Sequence, residues 1–248
     1  MKRLLFRLNQ WLHRIGFQLS AVESPTSIHL RRLLSIYPID TIIDVGANCG
    51  QYGTELRSAG YTGKIISCEP LGAPFATLGS RAKLDPHWQC LNIALSDQDR
   101  SLDLHVSQAT EYSSALPILP GTVARDGTAC VTSTETVHAR TLDSLWEELG
   151  AGAGPIMLKI DTQGSEEAIL NGAKASLAKL AAIQLELSAE PIYAGQPVME
   201  QMIARVRAAG FVPYQIWSGF RDEPTGRVLE YDGIFVRAAG LTSSTITH

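Results

Sequence analysis

Cysteine is scarce: Cys49, Cys68, Cys90 and Cys130 are the four in 248 residues, and no two share a C-x-x-C spacing. A disulfide framework or a zinc site wants tighter clustering, so neither is expected, and the four read as free, mostly buried thiols of a reducing compartment. A basic excess is also missing. The formal net charge is −4, which argues against a nucleic-acid partner, because phosphate backbones are met with lysine and arginine. No apolar run approaches the roughly 20 residues that span a bilayer. Near the N-terminus Arg7, Asn9, Gln10, His13 and Arg14 interrupt the apolar residues too early for a secretory signal, so this segment is expected to be retained. There is no internal repeat and no block of like charge.

Two nucleotide-binding signatures are missing from the place where one would look for them. Thr41-Ile-Ile-Asp-Val-Gly-Ala-Asn-Cys-Gly50 reads as a buried strand running into a glycine turn, with a helix from Gln51. Its glycines are spaced Gly46-x-x-x-Gly50, not G-x-G-x-x-G, and no Gly-Lys-Ser/Thr follows. A strand, a glycine turn and a helix still put backbone amides at the carboxyl end of a parallel sheet, where open α/β folds bind nucleotide-like ligands. Without a pyrophosphate cradle the expected ligand is a nucleoside, with S-adenosylmethionine the leading candidate.

What is present is a soluble, globular balance of 45% apolar and 19% charged residues, which argues against disorder. Leu4, Leu5, Leu8, Trp11, Leu12, Ile15 and Leu19 recur at helical spacing beside Lys2, Arg3, Arg7 and Arg14. This is an amphipathic helix, suited to covering the domain or to meeting an anionic membrane surface or a partner. A second helix is predicted over 28–37. Strand and helix patterns then alternate: strands at 41–45, 64–69, 88–94, 156–160 and 183–187, helices at 51–59, 73–83, 142–149, 166–180 and 198–209. Segments 211–217 and 233–236 read as an antiparallel closing pair, and 101–106 as an extra strand facing 136–139. The alternation predicts a doubly wound, mostly parallel α/β sheet. The expected division is N-terminal amphipathic helices over 1–37, one domain over 38–240 and a flexible tail over 241–248. Residues 107–133 show no period, and a long irregular segment in a compact domain is expected to cover a site.

Several polar residues fall where this sheet would open. Glu69, about twenty residues beyond the glycine turn, suits hydrogen bonding to both ribose hydroxyls. Asn92-Ile-Ala-Leu-Ser-Asp97 closes the third strand, so the backbone around Ala94 and Ser96, or the Asp97 carboxylate, would contact an adenine; a plain Ser-Asp turn is the alternative. Lys159 and Asp161 lie in an otherwise apolar strand, a costly placement unless they are paired or used. Glu166 follows in the first turn of a helix, as an acid–base group or as a cap. Glu186 is another acid in a buried strand. His105 and His138 on the extra hairpin read as structural or exposed.

With these residues assembled, the chain resembles the FkbM family of S-adenosylmethionine-dependent methyltransferases. The resemblance rests on Ile43-Asp-Val-Gly-Ala-Asn-Cys-Gly50, Glu69-Pro70, Asn92-Ile-Ala-Leu-Ser-Asp97, Ser113-Ser114, Thr141-Leu-Asp143, Leu158-Lys-Ile-Asp-Thr-Gln-Gly-Ser-Glu166 and Asp232. It covers about 41–236, and the K-I-D-x-Q-G-x-E stretch is its most particular part; Ser165 stands where the family often has alanine. It implies a class I methyltransferase (Rossmann-like) fold of about seven strands with an antiparallel C-terminal strand. It also implies methyl transfer to a hydroxyl of a sugar, glycan or secondary metabolite. By matching position Asp44, Gly46, Asn48 and Gly50 would hold the methionine and ribose side of the cofactor, and Glu69 the ribose. Asp161 is expected to be the base, or the ligand of a metal, with Lys159 orienting it. Gln163, Glu166 and Glu186 would shape the acceptor side together with Ser113 and Ser114. No residue pattern supports a divalent metal. The chain is expected to act in the cytoplasm, with the N-terminal helix a means of peripheral contact with the inner membrane surface. The alternatives are a non-catalytic scaffold of a glycan pathway and a nucleotide-dependent oxidoreductase.

Overall fold

The structure, a computed structural model, describes residues 25–150, 154–222 and 224–238. Its centre is β1 (Thr41–Val45), every residue of which is buried. Ile42 and Ile43 point to opposite faces and join the two main apolar clusters, one on each side of the sheet. That is why the strand reads as a continuous apolar run and does not alternate. β1 pairs in parallel with β2 (Lys64–Cys68) on one side and β7 (Ile156–Ile160) on the other. β3 (Trp88–Leu91) extends the β2 side, and β8 (Leu180–Ser188), β10 (Glu230–Arg237) and β9 (Phe211–Ser218) extend the β7 side. β10 runs antiparallel to both of its neighbours. The sheet is the expected α/β doubly wound one, seven-stranded and mostly parallel. The chain leaves β1 in one direction and returns across it to β7. The carboxyl ends of β1 and β7 therefore form the switch point at which such sheets bind ligands.

The helices α1 (Pro25–Ile36), α2 (Gln51–Ser58), α3 (Gly72–Ala82) and, later in the chain, one over Met199–Ala208 fall close to their predicted places. Leu30 and Leu33 of α1 are fully buried in the same cluster as Ile42 and Leu56. The predicted helix over 4–19 and the tail over 241–248 lie outside the described residues. No helix among the described residues is long and apolar enough to cross a membrane.

Three predicted elements differ from the structure. The predicted strand over 88–94 is divided: after Leu91 the chain leaves the main sheet, and β4 (Ala94–Leu95) pairs with β6 (Val131–Arg140) in a small second sheet completed by β5 (Arg100–Ser107). The β5–β6 hairpin has the expected pairing, Ser101 opposite His138 and Asp103 opposite Thr136, and continues to Val131. The aperiodic stretch holds a 3-10 turn at Thr110–Tyr112, the six-residue helix α4 (Pro120–Arg125) and a second 3-10 turn at Gly127–Ala129, pieces too short to show a period. The predicted helix over 142–149 is short, α5 (Leu142–Leu145), capped by the Thr141 side chain. The helix over 166–180 is α6 (Glu166–Asn171), stopped at Gly172, where an added Cβ would lie 2.0 Å from the Ser96 carbonyl oxygen. Asp143 then accepts hydrogen bonds from the Ala175 and Ser176 amides and holds the chain in a tighter turn. Met199–Ala208 is α7.

Candidate functional site

A cleft of about 490 Å³ opens over the carboxyl ends of β1, β2, β7 and β8. Its floor is the glycine turn. Gly46 (φ 76°) leaves no room for a side chain, since an added Cβ would fall 1.8 Å from the Asp161 carbonyl oxygen. Its amide and that of Ala47 both donate to the Cys68 carbonyl at 3.1 Å, hanging the turn from β2. Asn48 (φ 45°) and Gly50 (φ 85°) carry the chain through left-handed backbone into α2. This curl aims the Asn48 amide at Glu69 Oε2 (2.8 Å), while the Leu71 amide donates to Glu69 Oε1 (2.9 Å). Both oxygens are fixed, and each keeps accepting capacity towards the cleft. Burial pushes the Glu69 carboxyl up, and the two amide bonds pull it back. Ala94, Leu102 and Leu104 of the small sheet give this end an apolar side wall.

Asp44 is placed differently from its expected role. It is fully buried beneath the turn and does not border the cleft. Ser67 Oγ donates to its Oδ2 at 3.0 Å, and Lys159 Nζ lies 3.1 Å from its Oδ1. Asp44 and Lys159 are register partners on adjacent strands, which turns both side chains to one face. Lys159 Nζ also lies 3.3 Å from Asp161 Oδ2 and donates to the Gly46 carbonyl at 3.4 Å. Burial alone would lower the Lys159 ammonium, but Asp161 and Asp44 outweigh it and hold it above its usual value. The buried Asp44 thus anchors the cation that faces Asp161, and removing either member of such a pair costs about 3–5 kcal/mol.

Asp161 is the open member of this group, with 41% of its side chain exposed. The turn beyond it is pinned at several points. Gln163 (φ 56°) and Gly164 (φ 95°) are left-handed, and for glutamine that is an uncommon conformation. Gln163 Nε2 donates to Glu186 Oε2 at 2.9 Å, and Gln163 Oε1 accepts from the Tyr193 hydroxyl at 2.9 Å. Ser114 donates to the Gln163 carbonyl, which ties the segment after β5 to this turn. Glu166, offered as an acid–base group, is a cap: its Oε1 accepts from the Thr162 amide and hydroxyl and from the Gly164 amide, and it does not border the cleft.

Of the other sequence candidates, Ala94, Ser113, Ser114, Gln163, Glu186 and Lys159 all border the cleft. Gly50, Ser96 and Asp97 do not. Gly50 lies under the turn against Leu78 and Trp88. Ser96 is buried, its amide bonded to the Arg140 carbonyl as β4 turns onto β6, and its hydroxyl donates to Asp97. His105 and His138 stay on the hairpin, away from the cleft. Residues 110–114 of the aperiodic stretch line one side.

Sequence reasoning missed Glu55, Tyr52, Gln184, Phe220 and Glu230 as cleft residues, and it left Asp232 without a role. The signal for two of them was there: Glu230 and Asp232 are two apart on a strand that is otherwise mostly apolar, and Asp232 pairs with Glu186 across β8–β10. Burial, then Asp161 and Glu230, push Glu186 well above the usual carboxylate range. Burial, with Asp161 and Glu166, raises Glu230 from 4.5 to about 8, and burial with Asp161 raises Asp232 to about 6. The folded chain therefore keeps a proton on Glu230 where the unfolded chain has released it. Its stabilising contribution is full below pH 4.5 and is lost as the pH rises through about 8. Glu230→Gln, which cannot ionise, is expected to melt above the wild type at about pH 9 and level with it at about pH 3.5. Thermal melts across that range check this, and identical pH slopes contradict it. Among the described residues no group of three or more His, Cys, Asp or Glu side chains is arranged to hold a metal ion.

Solved structures and one family model are similar to this chain. The fold is similar to that of a putative O-methyltransferase from Klebsiella pneumoniae, with a TM-score of 0.50 at 13% identity over 95% of this chain and 90% of that one. An O-methyltransferase from Bacillus cereus, solved in complex with SAH, gives a TM-score of 0.49 at 12% identity over 95% and 91%. No curated protein matches the chain in sequence. A family model, the methyltransferase FkbM domain, matches residues 44–213, well over half of the chain. The chain belongs to the FkbM methyltransferase family.

Proposed function

We propose that this methyltransferase uses S-adenosylmethionine and delivers the methyl group to a hydroxyl oxygen of a sugar, glycan or secondary metabolite. The observation that carries the reading is that Glu69 and Asp161 both border one cleft, with the Gly46 turn in its floor. The residues fit the cofactor. Glu69, 5% exposed and anchored by two amides, retains acceptor sites for a ribose diol. Gly46 has no side chain to stand between the β1–β7 junction and a ligand. Ala94, Leu102 and Leu104 suit the face of a base, and the volume lies within the roughly 300–1,000 Å³ of small-molecule sites.

When bound, S-adenosylmethionine supplies a methyl group already activated on a sulfonium. The chain's own residues align and deprotonate the acceptor. Asp161 accepts the hydroxyl proton, a contribution of about 10²–10⁴-fold. Lys159, whose ammonium lies 3.3 Å from Asp161 Oδ2, orients the Asp161 carboxylate. Gln163, locked between Tyr193 and Glu186, fixes the turn that presents Asp161, so that the acceptor oxygen is held in place; positioning of this kind supplies up to about 7–11 kcal/mol. Residues 110–114 wall the cleft and limit water.

Calorimetric titration with S-adenosylhomocysteine and with NAD tests the cofactor. Saturable binding of the first and none of the second is expected. Tight NAD binding would favour the oxidoreductase instead.

A further inference from the structure

We propose that the acceptor half of the cleft selects by charge: it takes a hydroxyl acceptor that is neutral or carries an ammonium group, and rejects one bearing phosphate or carboxylate beside the reacting hydroxyl. This rests on the methyltransfer reading above and narrows its acceptor class.

The wall beyond the glycine turn is built of acids from several elements: Glu55 on α2, Asp161 after β7, Glu186 on β8, and Glu230 and Asp232 on β10. Among the described residues that border the cleft, Lys159 is the sole cation, and its ammonium is already held by Asp44 at 3.1 Å and Asp161 at 3.3 Å. Among the described residues no arginine or histidine borders it. Anions are also bound by free backbone amides at turns and helix starts, and here several of the nearby ones are taken. The Asn48 amide donates to Glu69 and the Cys49 amide to Asn48 Oδ1. At the start of α6, the Thr162 and Gly164 amides donate to Glu166. These four amides are therefore occupied by acceptors of the protein itself.

A second observation points to a donor-bearing ligand. Glu230 is 6% exposed and borders the cleft, and among the described residues no amide, ammonium or hydroxyl donates to its Oε1, its carboxyl facing that of Glu186. A buried carboxyl oxygen left without a donor is costly, and a hydroxyl or ammonium proton removes that cost. Burial and the surrounding acids favour the protonated forms of Glu186 and Glu230. An arriving ammonium releases those protons and gains ionised partners, whereas an arriving phosphate meets Asp161 and Asp232 beside a Lys159 ammonium already shared by Asp44 and Asp161. Phe220, 40% exposed at the cleft, adds an apolar face of the kind that packs on a sugar ring or a cation.

The test uses the full chain saturated with S-adenosylhomocysteine and three probes of one skeleton: glucose, glucosamine and glucose 6-phosphate. Binding is read by ligand-detected NMR titration at low and at high salt. The expected order is glucosamine, then glucose, then glucose 6-phosphate, with about tenfold or more between first and last, a gap that shrinks as salt screens it. Glu230→Gln and Asp232→Asn, each checked for folding by its melting curve, are expected to narrow the gap. Equal binding of the three, preference for the phosphate, or no binding by any of them overturns the inference. The heat of S-adenosylhomocysteine binding is measured first. Its absence would count against the cofactor reading, whereas normal cofactor binding with the wrong probe order removes only the charge selection.

Discussion

Asp161→Asn is expected to lower turnover by about 10²–10⁴-fold, the range lost with a general base, while S-adenosylhomocysteine affinity stays within a few-fold of the wild type. The asparagine keeps the shape of the side chain but cannot take a proton from an alcohol. The fold should survive the change. Asp161 is the half-exposed partner of Lys159, and the ammonium keeps its fully buried partner Asp44 at 3.1 Å. Steady-state rates at saturating cofactor, beside a calorimetric cofactor titration, separate the two effects. Unchanged turnover would remove Asp161 from the chemistry, and lost cofactor affinity would place it on the wrong side of the cleft.

Glu69→Gln is expected to do the reverse. Cofactor affinity should fall by about 100-fold or more, since two hydrogen bonds to a charged acceptor contribute about 1.5–3 kcal/mol each. Turnover at saturating cofactor should fall far less than in Asp161→Asn. The amide substitution is not conservative here. Both Glu69 oxygens accept from backbone amides, those of Asn48 and Leu71. A glutamine must turn its NH₂ towards one of them, donor against donor, while also losing an acceptor for the diol. Isothermal titration with S-adenosylhomocysteine measures the first effect and initial rates the second. Wild-type affinity in this variant would show that Glu69 serves only the turn.

The difference between these two variants follows from how the sheet divides the cleft, and much of that division was legible in the sequence. The Gly46 turn and Glu69 were readable because the physics is local: a turn needing left-handed backbone follows a buried strand, and an acid ends the next one. Lys159 and Asp161 were readable because charge in an apolar strand must be used or paired. What escaped was decided by strand pairing. Asp44 read as a cleft residue until its register with Lys159 turned it under the turn. Glu230 went unnoticed because β10 meets β8 only after the chain has passed through α7 and β9, which brings Asp232 opposite Glu186. Ser96 and Asp97 lie off the cleft because β4 leaves the main sheet for β6, a change that no local pattern marks. Glu166 had two readings, and the Thr162 and Gly164 amides decided for the cap.

The most direct test of the central claim is the fate of a labelled methyl group. The wild type and Asp161→Asn are incubated with methyl-labelled S-adenosylmethionine and hydroxyl-bearing sugars, glycans and metabolite extracts, and the labelled product is located by mass spectrometry. The account predicts label on a hydroxyl oxygen, formed by the wild type and lost by about 10²–10⁴-fold in the variant. Label on nitrogen or carbon, or tight cofactor binding with no labelled product from any hydroxyl-bearing material, would contradict it.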